Sequence, residues 1–367
     1  MEHERFVLKI EGEEVADLYP DLAGLEVELD HQMAAMFRLG IAVGQEEAGS
    51  WTLLDDENLR PWRKVEIEAG FESATEALIT GYITHVRPRF DPDPAAAFLE
   101  IWGLDESVLM DREEKLKDWP NKKDSDIARE IFQPYGFDTS GVEDTEVIHD
   151  EAVSTIIQRE TDVRFLNRLA LRNGFECYVE NGQAFFRPPQ VDAQPQPVLA
   201  VHFGDETNVT HFSVEVNALR PANVAMTQVD RVNKEVLEAT AEETQFPALG
   251  ESGAGDLLAA GMSPGRVQIA MNSTTGAAEM ENLCRGLFHQ GDWFVTAQGE
   301  INGSLYGHVL KPRGTVTIKG VSETHSGVYY VSRVTHRFTP DGYSQIFAAR
   351  RNGLMPTGQE DFSGSSG

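Results

Sequence analysis

The sequence predicts a mainly β protein carrying an α+β insertion, and three observations lead there. Apolar residues recur with a period of two through residues 1–118, and helical periodicity is confined to short stretches within 124–187 and near 280. Strand patterns then return beyond a proline-rich break. At 367 residues the chain has room for two or three domains and a large core.

In the first region Phe6, Leu8 and Ile10 alternate with Arg5, Lys9 and Glu11, and Leu25, Val27 and Leu29 alternate with Glu26, Glu28 and Asp30. Phe37, Leu39, Ile41 and Val43 repeat the pattern, as do Val65 and Ile67 between Lys64, Glu66 and Glu68. Leu78 to Val86 reads as a strand broken by Gly81, and Phe98 to Gly103 closes the set. Many short strands with polar outer faces argue for an antiparallel barrel or sandwich. Pro92 and Pro94 read as a loop tip, and the charged run from Asp111 to Lys123, with Trp119-Pro120, as a boundary.

The second region opens with Asp124, Ser125 and Asp126 offering capping oxygens to a helix that ends near Pro134-Tyr135-Gly136. A second helix starts at Thr161-Asp162, presents Val163, Phe165, Leu166, Leu169 and Ala170 on one face, and stops at Gly174 as a left-handed C′ residue. Phe175 to Glu180, Asn181-Gly182, then Gln183 to Phe186 is a strand, tight turn and returning strand. Pro188, Pro189, Pro195 and Pro197 mark a linker.

Beyond it, Phe212, Val214 and Val216 alternate, and Val224 to Glu238 reads as one bent strand or two. Residues 240–265 read as an extended or mobile loop. Ala277 to Phe288 is helical, with Gly291 just past its end, and strands follow through Trp293-Phe-Val, Val316-Thr-Ile and Tyr329 to Phe347. The segment from Pro356 onward is expected to be disordered.

Charge and motifs narrow the function. With 31 basic and 60 acidic residues, net −29, the surface repels phosphates, so no stable nucleic-acid binding is expected. No apolar run nears the roughly 20 residues of a bilayer span, so no membrane insertion is expected, and the N-terminus predicts no secretion signal. A cytoplasmic origin follows, in which Asn208, Asn272 and Asn302 are chance glycosylation matches and Cys177 and Cys284 are buried thiols rather than a disulfide or metal site. The histidines hold no His-Glu-x-x-His, and His336, in mid-strand, reads as a packed or interface residue. Gly250-Glu-Ser-Gly misplaces a glycine of the nucleophile elbow, and Gly253-Ala-Gly lacks the third glycine of a dinucleotide fingerprint. No catalytic, cofactor-binding or metal residue is singled out.

The stretch Gln158-Arg-Glu-Thr-Asp-Val-Arg-Phe-Leu-Asn-Arg-Leu-Ala-Leu-Arg-Asn-Gly-Phe-Glu-Cys-Tyr-Val-Glu-Asn-Gly182 resembles the hub proteins of contractile tails: the phage late-control D family and the N-terminal hub of VgrG-type spikes. Asp162, Phe165, Leu166, Arg168, Leu169 and Gly174 carry the likeness. Phe37-Arg38, Pro61 to Ile67 and Gly81-Tyr-Ile resemble the hub's first barrel, and Gly327 to Phe347, with Gly342-Tyr343 at its turn, resembles the hairpin ending the second. The resemblance implies two tail-tube-like antiparallel β-barrels, residues 1–118 and 201–239 with 292–352, around an α/β domain at 119–200, an insertion at 240–291 and a disordered tail at 353–367. It further implies a homotrimeric ring between a hexameric inner tube and a trimeric spike, with tape-measure, cargo or DNA in its channel. Assembly would be cytoplasmic, ahead of a virion or injection particle, and a separate spike protein is expected. Two alternatives are a tail-associated cell-wall hydrolase and a monomeric ligand-binding β module.

Overall fold

The computed structural model describes residues 4–363, apart from 46–48, 72–73, 94–95, 153–154, 221, 231–232, 245, 271–273 and 275. Pro94, Asn272 and residues 364–367 lie outside the described residues. The first region folds into β1 (Glu4–Ile10), β2 (Glu13–Glu14), β3 (Leu22–Asp30), β4 (Met36–Ala42), β5 (Lys64–Phe71), β6 (Ala74–Arg89) and β7 (Phe98–Asp105). Strand β6 runs unbroken through Gly81, where a side chain would lie 2.1 Å from the Leu104 carbonyl oxygen.

The α/β region comprises β8 (Glu114–Trp119), α1 (Asp124–Phe132), β9 (Asp138–Val142), β10 (Ile156–Thr161), α2 (Asp162–Asn173), β11 (Glu176–Glu180) and β12 (Gln183–Arg187). The charged run read as a boundary is thus partly strand β8, paired antiparallel with β10. Asn181 and Gly182, with φ of 50° and 78°, make the tight turn that Asn-Gly predicts. The α1 and α2 faces bury Ile127, Phe132, Phe165, Leu166 and Leu169 with Trp119 and Phe186. Burying each such side chain stabilises the fold by about 1.5–3 kcal/mol.

The last region contains β13 (Gln196–Ala200), β14 (Val209–Val216), β15 (Ala222–Val229), β16 (Val236–Ala241), β17 (Gly265–Ile269), α3 (Ala277–Asp292), β18 (Val295–Asn302), β19 (Thr315–Lys319), β20 (Gly327–Thr339) and β21 (Gly342–Arg351). Val224 to Glu238 is two strands, and they lie in a separate sheet, β16-β15-β17, rather than beside β14. The reason is α3, whose Met280 and Cys284 cover Val224, Met226, Ala239 and Ala241. That helix continues through Gly291 instead of ending before it. The loop expected after 240 is anchored by Leu249, which packs with Val191, Trp293 and Tyr330. The tail from 353 is held as far as Phe362, by Arg351 donating to the Met355 carbonyl (2.6 Å) and Lys319 to that of Phe362 (2.9 Å).

The mainly β class with an α+β insertion holds, and its centre is a single 13-stranded sheet. Within it β1-β5-β6-β7-β4-β3 and β13-β19-β20-β21-β18-β14 are the same six-strand order, and the two sets also follow the same order along the chain. Irregularities repeat as well. One extra residue bulges from β6 at Thr84 and from β20 at Ser332, and one from β3 at Ala23 and from β14 at Thr210. Trp62 (φ 71°) accepts its place by donating to the Ile83 carbonyl, as Arg313 (φ 65°) does to that of Val331. The pairings align Tyr82-Ile-Thr-His-Val-Arg-Pro-Arg-Phe90 with Tyr330-Val-Ser-Arg-Val-Thr-His-Arg-Phe338. One pairing differs, β13–β19 being parallel where β1–β5 is antiparallel. Among the described residues no pairing closes either half on itself; the halves join edge to edge instead.

Candidate functional site

The joint is the antiparallel pairing of β3 with the C-terminal part of β20, from Arg333 opposite Asp30 to Phe338 opposite Leu25. Ahead of its bulge β20 is flanked on that side by β19, and beyond the bulge by β3. Phe338 and Tyr343 cross the seam into the core of the first half, with Leu25, Val27 and Phe37. Tyr343 stacks on Phe338 at 4.1 Å, and its hydroxyl meets His336 Nδ1 at 2.8 Å. His336 is fully buried, and burial, with the Lys311 charge adding, pushes its pKa down to about 3. On the solvent side Arg337 donates to Glu26 at 3.1 Å.

The residues carrying the sequence likeness fall into two groups. Gly342 (φ 127°) and Tyr343 open β21 just past its turn from β20, at the seam. The other six sit in the α/β region. Phe165, Leu166 and Leu169 are fully buried, and Gly174 (φ 67°) ends α2 in the left-handed conformation. Arg168 pairs with Glu160 at 2.7 Å and covers the Phe165 ring. Asp162 does not cap its helix: it accepts from Gln158 (2.7 Å), Tyr135 (2.7 Å) and Lys115 (2.5 Å), tying α2 to β8 and β10. Thr161 likewise turns away, donating to Asp111 at 2.6 Å.

Sequence reasoning missed a buried charge cluster that fastens α3 to the α/β region. Arg172 bridges Asp124 (2.8 Å from Nε) and Glu279 (3.2 Å), His149 Nε2 lies 3.0 Å from Asp124, and Asn173 donates to the same carboxylate at 2.7 Å. Burial alone would raise Asp124, but the His149 hydrogen bond and the Arg172 charge outweigh it and hold the pKa at about 2. Burial disfavours the His149 cation, yet its bonds to Asp124 and Glu279 win and raise its pKa. Gly286 lets α3 approach α2, since a side chain there would lie 2.8 Å from the Arg172 carbonyl oxygen. A second cluster joins β11 to the large sheet, with Tyr330 donating to Glu176 at 2.7 Å and Arg350 stacked over Trp293. No local pattern signals such pairs. The internal repeat does leave a local signal, two like nonapeptides at Tyr82–Phe90 and Tyr330–Phe338, which the sequence reading did not take up.

Both cysteines are buried, Cys177 with its pKa pushed up to about 12 by burial. Among the described residues no group of His, Cys, Asp or Glu is placed to hold a metal, and no helix is long and apolar enough to cross a membrane. Ser322 meets His325 at 2.7 Å, within an exposed turn. A cleft of about 650 Å³ beside β13 and β19 is lined by Thr315, Thr317 and Lys319, the last bonded to Glu206 at 2.5 Å.

Comparison with known proteins gives this geometry its context. The family model of the Alg8 N-terminal domain matches residues 2–340. The chain belongs to that family. No curated protein matches the sequence. Among solved structures, the Alg8 N-terminal fold seen here is similar to the 43 kDa tail protein of prophage MuSo2 from Shewanella oneidensis, with a TM-score of 0.70 at 14% identity over 95% of this chain and 99% of that one. The tail protein of Neisseria meningitidis MC58 gives 0.68 at 13%, over 95% and 97%. An Escherichia coli type VI secretion component, itself described as similar to T4 bacteriophage tail proteins, gives 0.56 at 14%, over 94% and 76%. This chain thus shares the fold of phage tail and type VI secretion proteins.

Proposed function

We propose that the chain is a structural hub of a contractile tail or injection system, a homotrimeric ring that adapts a hexameric inner tube to a trimeric spike. The observation that carries this reading is the internal repeat: one chain supplies two six-stranded units of equal topology, already joined edge to edge. Three such chains supply six units to a sixfold tube and remain threefold toward a spike. The tail-protein fold supports the reading, as does the resemblance at Gln158–Gly182. In it the units built on residues 1–118 and on the strands after 200 form the ring, and the α/β region braces them from one side. A central channel would pass cargo or DNA, with tube protein above and spike protein below. The role is non-enzymatic, and the particle, virion or injection device, is where the protein works.

The test is mass in solution by light scattering, alone and with a spike partner. Three chains per particle, or a three-to-three complex, is the expected result. A single-chain mass in both samples removes the hub reading.

A further inference from the structure

We propose that the C-terminal part of β6, His85 to Phe90, pairs with β14 of a second copy of this chain, repeating between molecules the seam that β20 and β3 make within one. The inference rests on the hub reading for its trimer, but the strands are assigned by the repeat itself. Strand β6 occupies the place of β20: each carries a one-residue bulge, and each is flanked ahead of it by the equivalent strand, β5 or β19. Beyond the bulge β20 meets β3, whereas β6 meets β7 on its other side and no strand on this one among the described residues. Strand β14 occupies the place of β3 and is a terminal strand of the sheet, paired among the described residues only with β18. Both members of the internal seam therefore have a counterpart whose edge is open, and an open edge is a template for another chain.

The register follows without adjustment. Arg333 opposite Asp30 and Phe338 opposite Leu25 become His85 opposite Asn217 and Phe90 opposite Phe212. Between them Val86 meets Val216, Arg87 meets Glu215, Pro88 meets Val214 and Arg89 meets Ser213. Three of the six pairs match in chemistry: the two aromatics at one end, the two valines next to the other, and the opposite-charge pair between them. Phe90 is 61% exposed in the single chain, as an aromatic awaiting cover would be. Pro88, at the position of His336, has no amide proton and leaves the ladder a rung short. Because the two strands are different surfaces, the contact is head-to-tail and makes a ring only if its rotation closes.

The test uses two full-length single variants, Arg87→Cys and Glu215→Cys, mixed and mildly oxidised. Directly opposed residues of an antiparallel pair have Cα atoms about 4.5–5.5 Å apart, within disulfide reach. The native Cys177 and Cys284 are buried. A disulfide that forms only in the mixture, in a wild-type protein of three-chain mass, is expected. Glu215→Arg should weaken assembly about tenfold, and Arg87→Glu in the same chain should restore it. A three-chain wild type with no cross-link and no charge effect overturns the pairing but leaves the hub reading standing. Cross-links in open-ended polymers keep the pairing and remove the closed ring. A wild type that stays monomeric at all concentrations overturns both.

Discussion

The two halves of the large sheet share strand order and bulges, yet they fill their cores in opposite ways. In the first, the aromatic Phe37 stands on β4 and Gly103 on β7 makes room, since a side chain at Gly103 would lie 2.1 Å from the Phe37 ring. In the second, the equivalent of Phe37 is Ala297, the aromatic is Phe347 on β21, and the space comes from Gly299 on β18, where a side chain would lie 2.5 Å from the ring. Each half keeps one large and one absent side chain across the same strand pair, exchanged between strands. Topology is what the repeat preserves; the identity of the residue at a given place is free.

The halves also differ in what is attached. A five-residue turn connects β3 to β4, whereas β14 leads to β18 through residues 217–294, which include α3 and, on it, Glu279 of the charge cluster. The largest expected effect lies there. Asp124→Ala leaves Arg172 and His149 without the carboxylate they share, and should destabilise the protein by about 3–5 kcal/mol in urea unfolding. A loss confined to the surface-pair scale would show that the cluster is decorative.

The core exchange comes next. Gly103→Ala and Gly299→Ala should each cost about 1–3 kcal/mol through overpacking. Phe37→Leu should relieve part of the first, the Tyr82 carbonyl oxygen 2.4 Å away remaining, and Phe347→Leu most of the second, while the crossed combinations simply add. Rescue by the wrong aromatic would break the comparison.

Acid should then separate the seam from the charge cluster. His336 has a folded pKa near 3 against an ordinary 6.5, so the unfolded chain binds the proton first. Its contribution is complete above pH 6.5 and falls toward pH 3, with a slope of at most about 1.4 kcal/mol per pH unit. His149 has the opposite sign: its raised pKa gives a contribution complete below 6.5 and lost as pH rises through the elevated value. Thermal unfolding across pH should lose the His336 share of its acid slope in His336→Gln and the His149 share of its alkaline slope in His149→Gln. The smallest effect belongs to Glu26→Gln, where the exposed pair with Arg337 should yield less than about 1 kcal/mol in the same assay.

The sequence made the strands legible because one face of each is buried and the period of two shows it, as at Leu25, Val27 and Leu29. Gly174 and Asn181-Gly182 were legible because their backbone conformations admit few residue types. What escaped reading was long-range. Nothing near Asp124 or Asp162 says that a buried carboxylate will leave its helix terminus for a distant arginine or lysine, and capping chemistry suggested the reverse. The polar-apolar run at Val224–Glu238 reads as a strand in any sheet, so only α3 decides which one it joins. The seam itself pairs two ordinary amphipathic strands, and its partner choice lies in topology rather than composition.

That seam has a consequence for synthesis. His31 and Ser332, bonded across it, are 301 positions apart, so β3 can find β20 only when most of the chain has left the ribosome. At about 5–20 residues per second, the β3 edge waits roughly 15–60 s for its mate. During that interval the nascent first half is a protein with an unfinished border.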